Sequence, residues 1–158
     1  MESKIIIRRA AESDIEIVQQ FGYELLDFER KNWDNSLDPK WPFTESGKQK
    51  YLEAIKDKYT IIAEMDGKAV GFLIGKIIKA PAGGARHLSQ ARVENIYLNE
   101  GVRGSGIGAK LIENFRDFCY SNDVNRLDVS VLANNEAAVG FYKKMGFKPR
   151  SLNLSQEL

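Results

Sequence analysis

Apolar residues recur along this chain with two periods, and the places where one gives way to the other divide it into elements. Alternation marks strands, and recurrence every three to four residues marks helices. The opening "KIIIRRA" reads as a strand, after which Ile17, Phe21, Leu25 and Phe28 fall on one side of a helix. Ser13 and Glu16 form an S-x-x-E capping box for its start. Residues 32–43, "NWDNSLDPKWPF", break both patterns, and "ESGKQKYLEAIKDK" resumes helical spacing. The strands "YTIIAEM" and "KAVGFLIGKII" flank Asp66-Gly67, a dipeptide suited to the positive φ angles of a tight hairpin. "APAGGARHLSQ" reads as a loop and "ARVENIYL", residues 91–98, as another strand. Ile107, Leu111, Phe115 and Phe118 then mark a long helix, "NRLDVSVL" a strand, and "NNEAAVGFYKKMGF" a short helix ending at Gly146. The tail beyond Pro149 reads as a last strand. This order predicts an α/β fold with a mixed sheet covered by helices.

At 158 residues the chain suits one domain. Its net charge of +1 argues against bulk affinity for nucleic acid or an acidic membrane surface. No apolar run approaches the roughly 18 residues of a membrane span, and the start lacks the order of a secretory signal, so a cytoplasmic protein is expected. Cys119 is the only cysteine, which leaves no disulfide or thiolate metal site within the chain, and no metal is expected. Core packing is its expected role. His87 is equally alone, in a polar loop; an exposed residue is the first reading and proton transfer the second.

The segment "LNEGVRGSGIGAKL" places Gly101, Gly104, Gly106 and Gly108 between a strand and a helix. A helix N-terminus presents unpaired backbone N–H groups and the positive end of the helix dipole, and absent side chains let a diphosphate reach them. Arg103 opens the turn and can add a charge-assisted contact. A nucleoside-triphosphate loop is excluded, because Ala109-Lys110-Leu111 stands where Gly-Lys-Ser/Thr is required. Gly104, Gly106 and Ala109 satisfy the dinucleotide fingerprint, but too little chain follows for the remaining βαβ units.

"VENIYLNEGVRGSGIGAKLIENF" resembles motif A of the GNAT superfamily of acetyl-coenzyme A-dependent N-acetyltransferases, with Arg103, Gly106 and Gly108 filling its Q/R-x-x-G-x-G/A loop. "VLANNEAAVGFYKKMGF" is similar to motif B, through Asn135, Ala138, Phe141, Tyr142, Lys144, Gly146 and Phe147. The resemblance covers residues 58–148. It implies a central, mostly antiparallel twisted sheet of six to seven strands flanked by about four helices. It divides one domain, 1–158, into acceptor-side helices (1–57) and an acetyl-CoA-binding core (58–158).

The implied activity is transfer of acetyl from acetyl-CoA to a primary amine of a small molecule or of a peptide or protein, with a non-catalytic acetyl-CoA-binding or sensing module as the alternative. Arg103, Gly104, Ser105, Gly106 and Gly108 would hold the diphosphate, and main-chain groups of Ile96 and Leu98 the pantetheine arm. Asn135 would cap its helix or bind the pantetheine amide. Glu94, read as alternating onto the same strand face as Ile96 and Leu98, is the candidate base; the other reading is an exposed carboxylate paired with Arg92. Tyr142 is the candidate acid, with packing as its other reading. Trp33, Asp38 and Trp41, with Asp34 and Phe43, either bind a cationic amine or form a loop packed by its own tryptophans. The resemblance allows a homodimer.

Overall fold

The computed structural model describes residues 2–78 and 88–158. His87 and the loop beginning at Ala80 therefore lie largely or wholly outside the described residues. The elements run β1 (Ile5–Arg9), α1 (Ile15–Asn32), α2 (Glu45–Asp57), β2 (Tyr59–Met65), β3 (Lys68–Ile78), β4 (Gln90–Leu98), α3 (Ile107–Ser121), β5 (Arg126–Val129) and α4 (Glu136–Lys144). The strands form one sheet in chain order. β1 to β4 pair antiparallel, and β4 pairs with β5 in parallel. The β2–β3 hairpin turns at Asp66 and Gly67 with φ of 51° and 79°, as that dipeptide predicts.

Alternation along the strands feeds two cores. Ile61, Ala63, Leu73 and Val93 point to α3, where Ile107, Leu111, Ile112 and Phe115 cover them. Ile62, Phe72 and Ile74 point the other way, to Val18 and Phe21 of α1 and Tyr51, Ala54 and Ile55 of α2. Of the four residues expected on the inner side of α1, Phe21 is buried; Ile17, Leu25 and Phe28 are partly buried. A Cβ on Gly75 would stand 2.3 Å from the Phe115 ring, so the strand must be bare for the helix to sit down on it. Cys119 is buried in this layer, its thiol pushed up to about 11 by burial.

Three expectations are corrected. The described sheet has five strands, not six or seven. The tail is irregular, and Leu152, Leu154 and Leu158 are exposed. Alternation says which residues would share a face, not whether a face exists to receive them. The "NRLDVSVL" strand is likewise shorter, ending at Val129. The start of α1 is held not by a Ser13 box but by Asp14, whose carboxylate accepts the Ala11 N–H at 2.8 Å and a bidentate pair from Arg8 at 2.8 and 2.9 Å. Among the described residues no helix is long and apolar enough to cross a membrane.

Candidate functional site

The glycine loop is a backbone structure. After β4 the chain makes one 3-10 turn (Glu100–Val102) and enters α3 through Arg103, Gly104, Ser105 and Gly106, all exposed. Gly104 and Gly106 adopt φ of 78° and 85° with nothing near a would-be Cβ, so conformation rather than space requires glycine there. No side chain caps α3, and its first ladder bond runs from Lys110 N–H to the Gly106 carbonyl at 3.1 Å. The amides of Ile107, Gly108 and Ala109 thus lack helical acceptors. Ser105 Oγ donates to the Val102 carbonyl at 2.5 Å, which stiffens the turn. Gly108 is buried, where a Cβ would reach within 3.5 Å of Phe141 and Leu98.

The same loop continues a free strand edge. β5 pairs with β4 only from Gln90↔Arg126 to Val93↔Val129, and no described strand follows β4 on that side from Glu94 to Leu98. On its other side β4 stays paired with β3, Leu73↔Ile96 and Gly71↔Leu98. Arg103 folds back over this edge: its Nε donates to the Leu98 carbonyl at 3.1 Å, and its guanidinium lies 4.6 Å from the Phe28 ring and 5.4 Å from Tyr97. Phe28 and Tyr97 were not singled out in the sequence as neighbours of this loop.

A register shift between β3 and β4 pairs Ile74 with Asn95 and Gly75 with Val93, leaving Glu94 as the extra residue of a bulge. Its consequence overturns the alternation argument. Val93 and Ile96 both face α3, so Glu94 does not share the face of Ile96 and Leu98. It meets Lys58 at 2.5 Å and Lys76 at 2.6 Å, and not Arg92. Burial works to raise the Glu94 pKa, but the hydrogen bonds and charges of the two lysines outweigh it and hold the carboxyl below its ordinary range. Lys76 had a sequence signal: a cation inside the apolar run "LIGKII" needs a partner.

Tyr142 is buried on α4, edge-on to Phe141 and Phe147 at 5.2 and 5.5 Å. Burial, with a smaller push from the charge of Glu29, raises its hydroxyl to about 12, so it is protonated at neutral pH. Glu29 is itself raised by burial and by Asp34. Asn135 caps α4, its side chain accepting the Ala138 N–H at 3.1 Å.

The three residues expected to form an acceptor cage have separate partners. Trp33 packs edge-on against Phe28 at 5.1 Å, and Trp41 lies 6.1 Å from Tyr51. Asp38 accepts the Lys40 N–H at 3.0 Å. It lines an open cleft of about 420 Å³ with Tyr23, Asp27, Arg30 and Lys40, a cleft to which neither tryptophan contributes.

Residues 23–147 match the family model described as the acetyltransferase (GNAT) family. An uncharacterized N-acetyltransferase of Methanocaldococcus jannaschii, MJ1207, is 24% identical over 137 residues, which is 83% of this chain; the match spans about half of that relative, 52%. A tetramutant of the BH1408 protein of Bacillus halodurans superposes with a TM-score of 0.86 at 17% identity, covering 97% of this chain and 99% of the other. The aminoglycoside N-acetyltransferase AAC(6')-Iy, in complex with CoA, gives a TM-score of 0.76 at 15% identity over 100% of this chain and 97% of its own. The family match, together with a five-stranded mixed sheet carrying four helices, places the chain in the GNAT acetyltransferase family.

Proposed function

We propose that this protein transfers the acetyl group of acetyl-CoA directly to a primary amine. One observation carries the reading: the uncapped start of α3, with its two left-handed glycines, runs without a break into the unpaired edge of β4. The amides of residues 104–109 suit a diphosphate, and the main chain of Ile96 and Leu98 suits the amides of a pantetheine arm running back along the strand. Arg103 must leave the Leu98 carbonyl to reach the diphosphate, so ligand binding exchanges one of its hydrogen bonds for charge-assisted ones. A protein with the same fold, AAC(6')-Iy, has been solved in complex with CoA, which supports CoA as the ligand.

In the reaction the amine nitrogen attacks the thioester carbon; a C–N bond forms, the C–S bond breaks, and CoA leaves as thiolate. Tyr142 is the group assigned to meet that sulfur. A phenol near 12 is a weaker acid than an ordinary thiol at about 8.5, so Tyr142 stabilises the sulfur by hydrogen bonding, with proton transfer completed on release. The ammonium form of the acceptor must lose a proton before attack. For an amine with a pKa of about 10.4 this costs about 4.6 kcal/mol at pH 7. Glu94, with two lysines on its oxygens, is a poor acceptor for that proton, so its part is to position them while solvent deprotonates the amine. The reading is tested by thiol release from acetyl-CoA against a panel of amines, with the acetylated product identified by mass. Amine-dependent release is expected; release that no amine accelerates contradicts it.

A further inference from the structure

The Lys58–Lys76 end of the sheet, beside the point where acetyl would be delivered, gathers cations, while the carboxylate of Glu29 lies on the Tyr142 side. The bulge at Glu94 is the point where β4 parts from β5, so a thioester lying along the free edge reaches the acceptor beside it. Lys58 arrives there from the end of α2 and Lys76 from β3, and both share one carboxylate. Side-chain exposures of 34%, 38% and 20% for Lys58, Lys76 and Glu94 leave this triad partly withdrawn from water, where an unmatched charge is felt more strongly. Ala91 and Val93 of β4 and Leu127 and Val129 of β5 point to α3, which turns Arg92, Arg126 and Asp128 to the opposite face, the one carrying Lys76. Asp128 is engaged by Gln90, and Arg150 lies 3.8 Å from it. The Arg92 side chain has no hydrogen bond or ion pair among the described residues.

Among the described residues, Lys58 and Lys76 share the one carboxylate of Glu94, while Arg92 and Arg126 stand on the same face as Asp128 without pairing with it. Such a face repels a polyamine and favours a substrate whose own negative charge balances the surplus. Trp33, Asp38 and Trp41, the residues expected to welcome a cation, each have a different local partner.

We infer that the acceptor is an amine carrying an anionic group, a carboxylate or a phosphate, which the Lys58–Lys76–Arg92 end of the sheet holds while its nitrogen meets the thioester. This rests on the transferase reading. Acetylation rates on the full chain should be compared for L-glutamate, glucosamine 6-phosphate, tyramine and spermidine. The carboxylate and phosphate arms distinguish the two sources of charge. At least one anionic amine should exceed spermidine about tenfold in kcat/KM, a preference that fades as salt screens the charges. Lys76→Met should reduce that preference, leaving Glu94 paired with Lys58. Arg92→Met, which unpairs no described partner, should reduce it without lowering Tm, separating recognition from stability. Faster turnover of spermidine or tyramine than of both anionic amines, or a preference untouched by both variants, overturns the inference while leaving the transferase reading intact. No turnover of any amine overturns both.

Discussion

The two sides of the β4–β5 wedge are made of different materials. Toward α3 the candidate site is main chain: amides at the head of a helix, two glycines at positive φ, and a strand edge with no partner among the described residues. Toward α1 and α2 it is side chains, and the triad at its centre draws Lys58, Lys76 and Glu94 from three separate elements. The first kind of site is specified by neighbouring residues and suits a ligand part that never varies. The second depends on strand register and helix ends, and can be rebuilt for a different acceptor without disturbing the first.

The largest effect should come from placing a charge in the main-chain half. Gly106→Asp puts a carboxylate where the diphosphate would lie; at about 4 Å and an effective dielectric near 20 the repulsion is about 4 kcal/mol, roughly a thousandfold in acetyl-CoA affinity by calorimetry. The variant should still fold, since nothing stands within 4 Å of the new Cβ and aspartate tolerates the left-handed region at a cost of about 1–2 kcal/mol. Unchanged affinity would remove the loop from the cofactor half.

Tyr142→Phe comes next. It should lower kcat roughly a hundredfold while acetyl-CoA affinity stays within about twofold. Full turnover would return Tyr142 to packing alone.

On the acceptor side, Glu94→Gln should cost about 2 kcal/mol at pH 7, as two lysines lose their shared anion. The Glu94 pKa is lowered in the folded protein, so its stabilisation is present above the ordinary 4.5 and is lost as pH falls through the lower folded value. The gap in stability between wild type and variant should therefore close on acidification from pH 7 to pH 3, as followed by urea denaturation. The rise of kcat/KM with pH should be the same in both proteins if, as proposed, solvent removes the amine proton. A flattened profile in the variant would restore Glu94 as the base.

The smallest effect separates capping from binding. Asn135→Ala should cost about 1 kcal/mol in thermal denaturation through the lost Ala138 contact, with acetyl-CoA affinity unchanged. A tenfold loss of affinity would give Asn135 a second role.

The same contrast explains what could be read without a structure. Gly104 and Gly106 announced a turn because only local geometry demands them, and α3 was visible from Ile107, Leu111 and Phe115 at helical spacing. The face of Glu94 was misread because a single bulged residue reverses every parity argument that crosses it. Its partners could not be named from spacing, since they depend on how β2, β3 and β4 align. Arg103 resting on Phe28 and Tyr97 is hidden for the same reason. The strand expected in the tail failed differently: Leu152 and Leu154 alternate with polar residues, but no layer covers them.

The most direct test follows backbone amide resonances while acetyl-CoA is added to the full chain. The largest shifts should fall on residues 104–109 and next along Ile96–Leu98, saturating together at one ligand per chain. Saturable binding that leaves the 104–109 amides unmoved, or no binding to a folded protein, would contradict the assignment of the diphosphate to the head of α3.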